Sequence, residues 1–269
     1  MITFVTCWYE LKSKFNKNIY EKWMINLLTN VNNFNLVIYT NKYSCQTINK
    51  YIDSNNCKIK VVNIELEDFY NYKYKDLWIR NHEQNISLNK KVNWHVNMLW
   101  SEKISFVKHA AENMYFDTEW YGWCDIGYFR GRRNDIPSYL ISSWPNHNVI
   151  RSLDKTKIHY ANVCNNQHYM NNLFRCAINK NDEGLPLNPI PPTQCSIAGG
   201  FFLIHKENIE WWHNIYDTQL QLYFKHNYLV KDDQIILVDC VFNNIKHFKL
   251  YTEQNRKYDN WFMFQRILL

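Results

Sequence analysis

The first 64 residues alternate three short apolar runs with two stretches of helical spacing, and this alternation limits the fold more than any other feature. Ile2 to Thr6 reads as a buried strand that ends in the polar-aromatic turn Cys7-Trp8-Tyr9-Glu10. Tyr20, Trp23, Met24, Leu27 and Leu28 then recur at helical spacing. Leu36-Val37-Ile38-Tyr39 is a second strand, Tyr43 to Ile52 a short helix, and Ile59 with Val61-Val62 a third strand. A β-α-β-α-β order predicts an α/β fold with a mostly parallel sheet and helices on its faces.

Beyond this half, Trp94 to Ala111 has the spacing of one long helix, with Val96, Leu99, Trp100, Ile104, Val107 and Ala111 on its apolar face. Trp120 to Phe129 reads as a strand, Ser138 to Ser142 as a short helical piece, and Asn148 to Arg151 as a strand. From Tyr160 to Thr193 the pattern is poor, and Pro186, Pro189, Pro191 and Pro192 break regular structure, so a long loop near the site is expected. Cys195 to His205 is a glycine pair leading into a strand, and Ile209 to Phe224 a helix. Ile235 to Phe242 is helix or strand by periodicity, His247 to Tyr251 a late strand, and Trp261-Phe262-Met263-Phe264 an aromatic tail that packs back on the body.

A chain of 269 residues with 17% aromatic content can bury a sizeable core and is not disordered. With no repeat and no linker in view, the expected organisation is a single domain over 1–269. The net charge of +6 is mild and spread out, and no nucleic-acid-binding module is evident, so no nucleic-acid partner is expected. Its densest basic cluster, Arg130-Gly131-Arg132-Arg133, reads either as a solvated loop or as an anion contact. The eight cysteines form no C-x-x-C pair, which argues against a zinc ribbon and fits a reducing compartment. No signal peptide and no apolar run of membrane-spanning length is found. A cytoplasmic location, or one peripheral to a membrane, is therefore expected.

Asp125 is the first chemical candidate, because it ends the nearly charge-free run Trp120-Tyr121-Gly122-Trp123-Cys124. Ligands bind outside the carboxyl ends of parallel strands, where a carboxylate can hold a divalent cation. A turn or capping hydrogen bond is the structural alternative. Gly127, two residues on, permits close approach of backbone or ligand. Asp232 and Asp233 are candidates for a general base, or for capping a helix. Gly199-Gly200 reads as a tight turn or as a wall against a sugar. Lys103 and Arg80 are cations in aromatic surroundings that could meet phosphate or a carboxylate, or form surface ion pairs. His247 is a candidate ligand or a satisfied structural histidine.

Taken in order, Thr6-Cys7-Trp8-Tyr9, Ser101-Glu102-Lys103, Trp123-Cys124-Asp125-Ile126-Gly127, Ser196-Ile197-Ala198-Gly199-Gly200 and Asp232-Asp233-Gln234 resemble a glycosyltransferase of the GT-A fold. More narrowly they resemble the HtrL/YibB-like (WlaTC-type) family, with its hydrophobic-Trp-x-Asp-x-Gly strand end. The resemblance implies a single GT-A-like domain. Its Rossmann-like first half, about 1–130, would bind a nucleotide-sugar, and about 131–269 would bind the acceptor. It implies a hexosyltransferase-type enzyme that moves a sugar from a nucleotide-diphosphate sugar, a UDP-sugar by expectation, to a hydroxyl on a glycan, lipid or protein. Thr6 and Tyr9 would line the nucleotide pocket, Arg80 and Lys103 would face the diphosphate or sugar, and Gly199 and Gly200 would border the sugar. Asp125 would stand at the metal aspartate, His247 would be a late metal ligand, and Asp233 or Asp232 the base. The implied cofactor is a divalent metal, Mn2+. The chain departs from the usual Asp-x-Asp at Asp125-Ile126-Gly127, which lacks the second carboxylate and leaves metal dependence open. A non-catalytic nucleotide- or carbohydrate-binding protein and a nucleotidyltransferase remain alternatives.

Overall fold

The computed structural model describes all 269 residues. Seven strands, β1 (Ile2–Trp8), β2 (Asn35–Thr40), β3 (Ile59–Asn63), β4 (Trp120–Cys124), β5 (Ile158–Asn162), β6 (Ile197–His205) and β7 (Phe248–Thr252), form one sheet. Their order is β3-β2-β1-β4-β6-β5-β7. β6 alone runs antiparallel to its neighbours, and every other pairing is parallel. The expected α/β architecture, a mostly parallel central sheet flanked by helices, is the one observed.

The helices are α1 (Lys17–Leu28), α2 (Cys45–Ile48), α3 (Lys75–Gln84), α4 (Trp94–Ser101), α5 (Lys103–Glu112) and α6 (Ser138–Ile141). They continue with α7 (His147–Ser152), α8 (Gln167–Ile178), α9 (Ile209–Lys225), α10 (Asp233–Asn243) and α11 (Phe264–Ile267). All seven residues of β1 are buried, as a central parallel strand covered on both faces must be. Val5 and Cys7 join one apolar cluster, with Ile104, Phe106 and Val107 of α5. Phe4 and Trp8 join the other, with Met24, Leu27 and Leu28 of α1 and Phe262 and Phe264 of the tail. The aromatic tail therefore does pack back on the body.

Four segments differ from the sequence reading, each for a local reason. The long helix is divided at Glu102, whose buried carboxylate accepts hydrogen bonds from the Tyr70 and Asn71 backbone N–H groups at 2.8 and 3.0 Å. Burial pushes the Glu102 pKa up to about 7 despite these donors. Residues 148–151 are helical, because the Asn146 side chain accepts from Asn148 N at 2.9 Å and caps α7. The stretch 160–193 holds the end of β5 and all of α8, which Asn166 caps through Tyr169 N at 3.0 Å. Its proline-rich remainder is irregular. β4 ends at Cys124, and a turn follows in which Tyr128 N donates to Asp125 O at 2.8 Å.

Sheet order locates the site. From β1 the chain winds outward through β2 and β3, then returns to place β4 on the other side of β1. At such a reversal the connections leave the carboxyl ends of the two central strands in opposite directions and open a crevice. Here the crevice lies beyond Trp8 and Cys124.

Candidate active site

Two adjoining clefts open beyond β1 and β4. The first is lined mainly by hydrophobic and aromatic residues: Cys7 and Trp8 at the end of β1, Tyr9 and Leu11 after it, Val96, Leu99 and Trp100 of α4, and Trp123. The second has more polar residues in its lining, Lys14, Gly199, Gly200, Asp232, Asp233 and Gln234, together with Phe15, Trp261 and Phe262. Tyr20, Trp100, Lys103, Asp125, Gly127 and Arg130 line both and form their junction.

Lys103 is the centre of that junction. Its ammonium lies 3.3 Å from Asp125 Oδ1 and 3.0 Å from Asp233 Oδ2, and it donates to the Gly199 carbonyl at 2.8 Å. Burial works against its charge, but the two carboxylates outweigh burial and hold its pKa above the ordinary lysine range. Trp123 explains the Trp-x-Asp spacing. Asp125 directly follows β4, and the Trp123 indole N–H donates to Asp125 Oδ1 at 2.6 Å.

Besides walling the second cleft, the glycine pair has a packing role. The pair lies inside β6, and a Cβ on Gly199 would sit 2.4 Å from Asp233 Oδ2. A Cβ on Gly200 would sit 3.0 Å from Asp125 Oδ2. Both glycines therefore make room for the two carboxylates that hold Lys103. Gly199→Ala is expected to lower stability by about 1–3 kcal/mol through this overlap. Gly200→Ala should be milder. Denaturant unfolding measures both, and an unchanged midpoint for Gly199→Ala would show that Asp233 is free to swing aside. Gly127 likewise accommodates a side chain, since a Cβ there would meet Trp23 Cε3 of α1 at 2.9 Å.

Asp232 and Asp233 start α10 but neither side chain caps it. Asp232 is 3% exposed, and its Oδ1 has no hydrogen-bond partner. Its Oδ2 pairs with Lys231 at 2.9 Å. Burial, and next the charge of Asp233, raise its pKa above the ordinary carboxylate value. Asp233 is committed to Lys103, which leaves Asp232 as the carboxylate with an unpartnered oxygen.

The remaining candidates divide. Tyr9 lines the first cleft, with its hydroxyl donating to the Ile64 carbonyl at 3.0 Å. Thr6 is fully buried beneath that cleft and does not line it. Arg80 is not brought to the site. Trp78 and Asn81 turn one face of α3 onto Phe224 and Val230, leaving Arg80 in a separate small cavity beside Asn227 and Tyr228. His247 is not brought to Asp125 either. It precedes the first residue of β7 and stacks on Trp211, with ring centroids 4.4 Å apart. β4 and β7 run in the same direction, so Asp125 and His247 lie towards opposite ends of the sheet.

Two cations were missed as site residues. Arg130 stands 4.1 Å from the Trp23 ring centroid and 4.8 Å from that of Phe262, and its Nε donates to the Gly127 carbonyl at 3.2 Å. The basic cluster had signalled it, but its other two arginines do not line either cleft: Arg132 stacks on Phe262 at 4.2 Å and pairs with Asp135 and Asp259, and Arg133 is exposed. Lys14, an exposed residue, lies 4.4 Å over the Trp100 ring. No sequence signal set Lys14 apart from the other lysines of its segment.

The donor set does not fit a resident divalent ion. Such an ion wants about six oxygens near 2.0–2.6 Å. Asp125 Oδ1 is already occupied by Trp123 and Lys103, Asp233 by Lys103, and no group of three or more His, Cys, Asp or Glu side chains suited to a metal occurs in the chain.

No known family's sequence profile matches the chain, and no curated protein matches it in sequence. Among solved structures it is similar to the galactosyltransferase LgtC in complex with donor and acceptor sugar analogues, at 9% identity and a TM-score of 0.48, over 92% of this chain and 72% of that one. It is similar to mouse xyloside xylosyltransferase 1 at 13% identity and a TM-score of 0.47, over 92% and 84% of the two chains. An active-site mutant of LgtC gives 9% identity and a TM-score of 0.49, over 99% and 84%. What the cleft can do follows from its own side chains.

Proposed function

We propose that the chain is a glycosyltransferase that moves a sugar from a nucleotide-diphosphate sugar to a hydroxyl acceptor, with a UDP-sugar as the expected donor. The observation that carries this reading is the meeting of an aromatic cleft and an acidic one at the β1–β4 crevice, with cations at their junction. A flat nucleobase suits the first cleft, where Trp8, Tyr9, Tyr20, Trp100 and Trp123 offer aromatic faces. A diphosphate suits the region between Arg130 at the junction and Lys14 in the wall of the second cleft, neither of which is tied to a carboxylate by an ion pair. Polyhydroxylated sugars suit the second cleft, which offers carboxylates, the Gln234 amide and the rings of Phe15, Trp261 and Phe262. The order of motifs resembling GT-A glycosyltransferases points the same way.

In the step proposed, the acceptor oxygen bonds to the anomeric carbon while the bond from that carbon to the diphosphate oxygen breaks. Asp232 takes the acceptor proton as general base. The diphosphate leaves with the bonding electrons, and Arg130 and Lys14 stabilise its negative charge. Arg130 is a strong element because its fork is pre-set between two aromatic rings.

Calorimetric titration with nucleoside diphosphates tests the donor site. The wild-type chain should bind at least one of them, and Arg130→Ala should weaken that binding about 10- to 100-fold, as loss of a charge-assisted contact does. Arg80→Ala should leave it unchanged. Equal losses in the two variants would place the diphosphate elsewhere.

A further inference from the structure

We propose that the Lys103 ammonium fills the place between Asp125 and Asp233 where a divalent cation was expected, so that this site works with a built-in cation and no resident metal. The supply of charge to a leaving diphosphate by Arg130 and Lys14 rests on the glycosyltransferase reading; the cation replacement itself does not.

The geometry is that of an ammonium cage. Lys103 has three N–H donors and three oxygen acceptors within reach, on Asp125, Asp233 and the Gly199 carbonyl. Its side chain is 9% exposed, so the charge is fixed in place by the fold. Gly199 and Gly200 remove the Cβ atoms that would push the two carboxylates aside. Trp123 holds Asp125 from a further direction. A divalent ion placed between the same carboxylates would have to expel Nζ from its buried site or sit against its positive charge. Gly127, where a second carboxylate would widen a metal site, is instead filled over by the Trp23 ring. One ammonium against two carboxylates leaves the trio with a net negative charge. The trio cannot also neutralise a leaving diphosphate, and Arg130 and Lys14 across the cleft supply that charge.

Titration of the full chain with Mn2+, followed by the electron paramagnetic resonance of the free ion, tests the replacement without any substrate. The wild-type chain should take up no Mn2+ below about 1 mM, the weak limit of protein cation sites. Lys103→Ala should create one site at least about tenfold tighter, because two vacated carboxylates and a carbonyl then face a cation-sized space. Adding Asp125→Asn should remove it. One Mn2+ bound tightly by the wild-type chain and lost in Asp125→Asn would overturn the proposal, and that comparison stands even if Lys103→Ala does not fold. Nucleoside diphosphate affinity measured in EDTA and in Mn2+ should agree within about twofold, since the junction cations are protein groups. A tenfold loss in EDTA would also overturn it. Complete failure to bind nucleotides would count against the glycosyltransferase reading and leave the Mn2+ titration standing.

Discussion

Asp232→Asn should lower kcat by about 10²- to 10⁴-fold, the range of general base catalysis, while leaving donor affinity within about twofold. The variant should lose activity without losing stability. Asp232 is buried, its Oδ1 has no partner, and its pKa is raised by burial and by Asp233. The raised value means that the folded chain binds more protons than the unfolded chain between the ordinary carboxylate pKa of about 3.9 and the folded pKa. Stability therefore falls as pH rises through that window, and ionised Asp232 is a cost above it. Asn keeps the shape and removes the charge, so at pH 8 the variant should be at least as stable as the wild type. In the wild type, kcat should rise with pH along a limb set above the usual carboxylate range, and Asp232→Asn should flatten it. A variant that unfolds at pH 8 while the surviving folded fraction works normally would make Asp232 a structural residue.

Lys103→Met should destabilise the chain by roughly 2–4 kcal/mol and abolish measurable turnover. Removing one partner of a buried ion pair leaves the other charge buried and unpaired, which costs about 3–5 kcal/mol. The estimate is reduced because Asp125 is 44% exposed and water can take up part of its charge, whereas Asp233 at 13% has little such relief. The asymmetry supplies a sharper test than the single variant. Adding Asp233→Asn to Lys103→Met removes the stranded charge and should restore at least about 1 kcal/mol, since an unpaired buried charge is worse than a neutral group. Urea unfolding of the two variants and the double measures this coupling. Additive losses would mean that Lys103 and Asp233 do not interact as their 3.0 Å separation implies.

The sheet was legible because its central strands are buried on both faces and separated by helices, a pattern that survives without any knowledge of contacts. What the sequence hid is mostly capping and side-chain direction. Asn146 and Asn166 start helices that were read as a strand and as part of a loop, and in an asparagine-rich chain a capping Asn does not stand out. Glu102 lies in a segment of uninterrupted helical spacing, and only its long-range bonds to Tyr70 and Asn71 reveal the division. Asp125, Lys103, the glycine pair and the Asp232-Asp233 pair were all legible as candidates, and the fold brings them together. Their relation was not: 96 residues separate Lys103 from the Gly199 carbonyl it binds, and no periodicity reports such a contact. Arg80 and His247 were named for residue type and setting, and the direction of α3 and of β7 places them elsewhere. Lys14 was hidden because nothing in the sequence sets it apart from neighbouring lysines, and in the basic cluster the sequence could not tell Arg130, which lines the cleft, from Arg132 and Arg133, which do not.

The most direct test is release of nucleoside diphosphate from a panel of UDP-, GDP- and other nucleotide-sugars, followed in the presence of EDTA. The wild-type chain should release diphosphate and free sugar slowly from at least one donor, and Asp232→Asn should bind that donor without releasing product. Failure of the wild-type chain to bind or cleave any nucleotide-sugar would contradict the account.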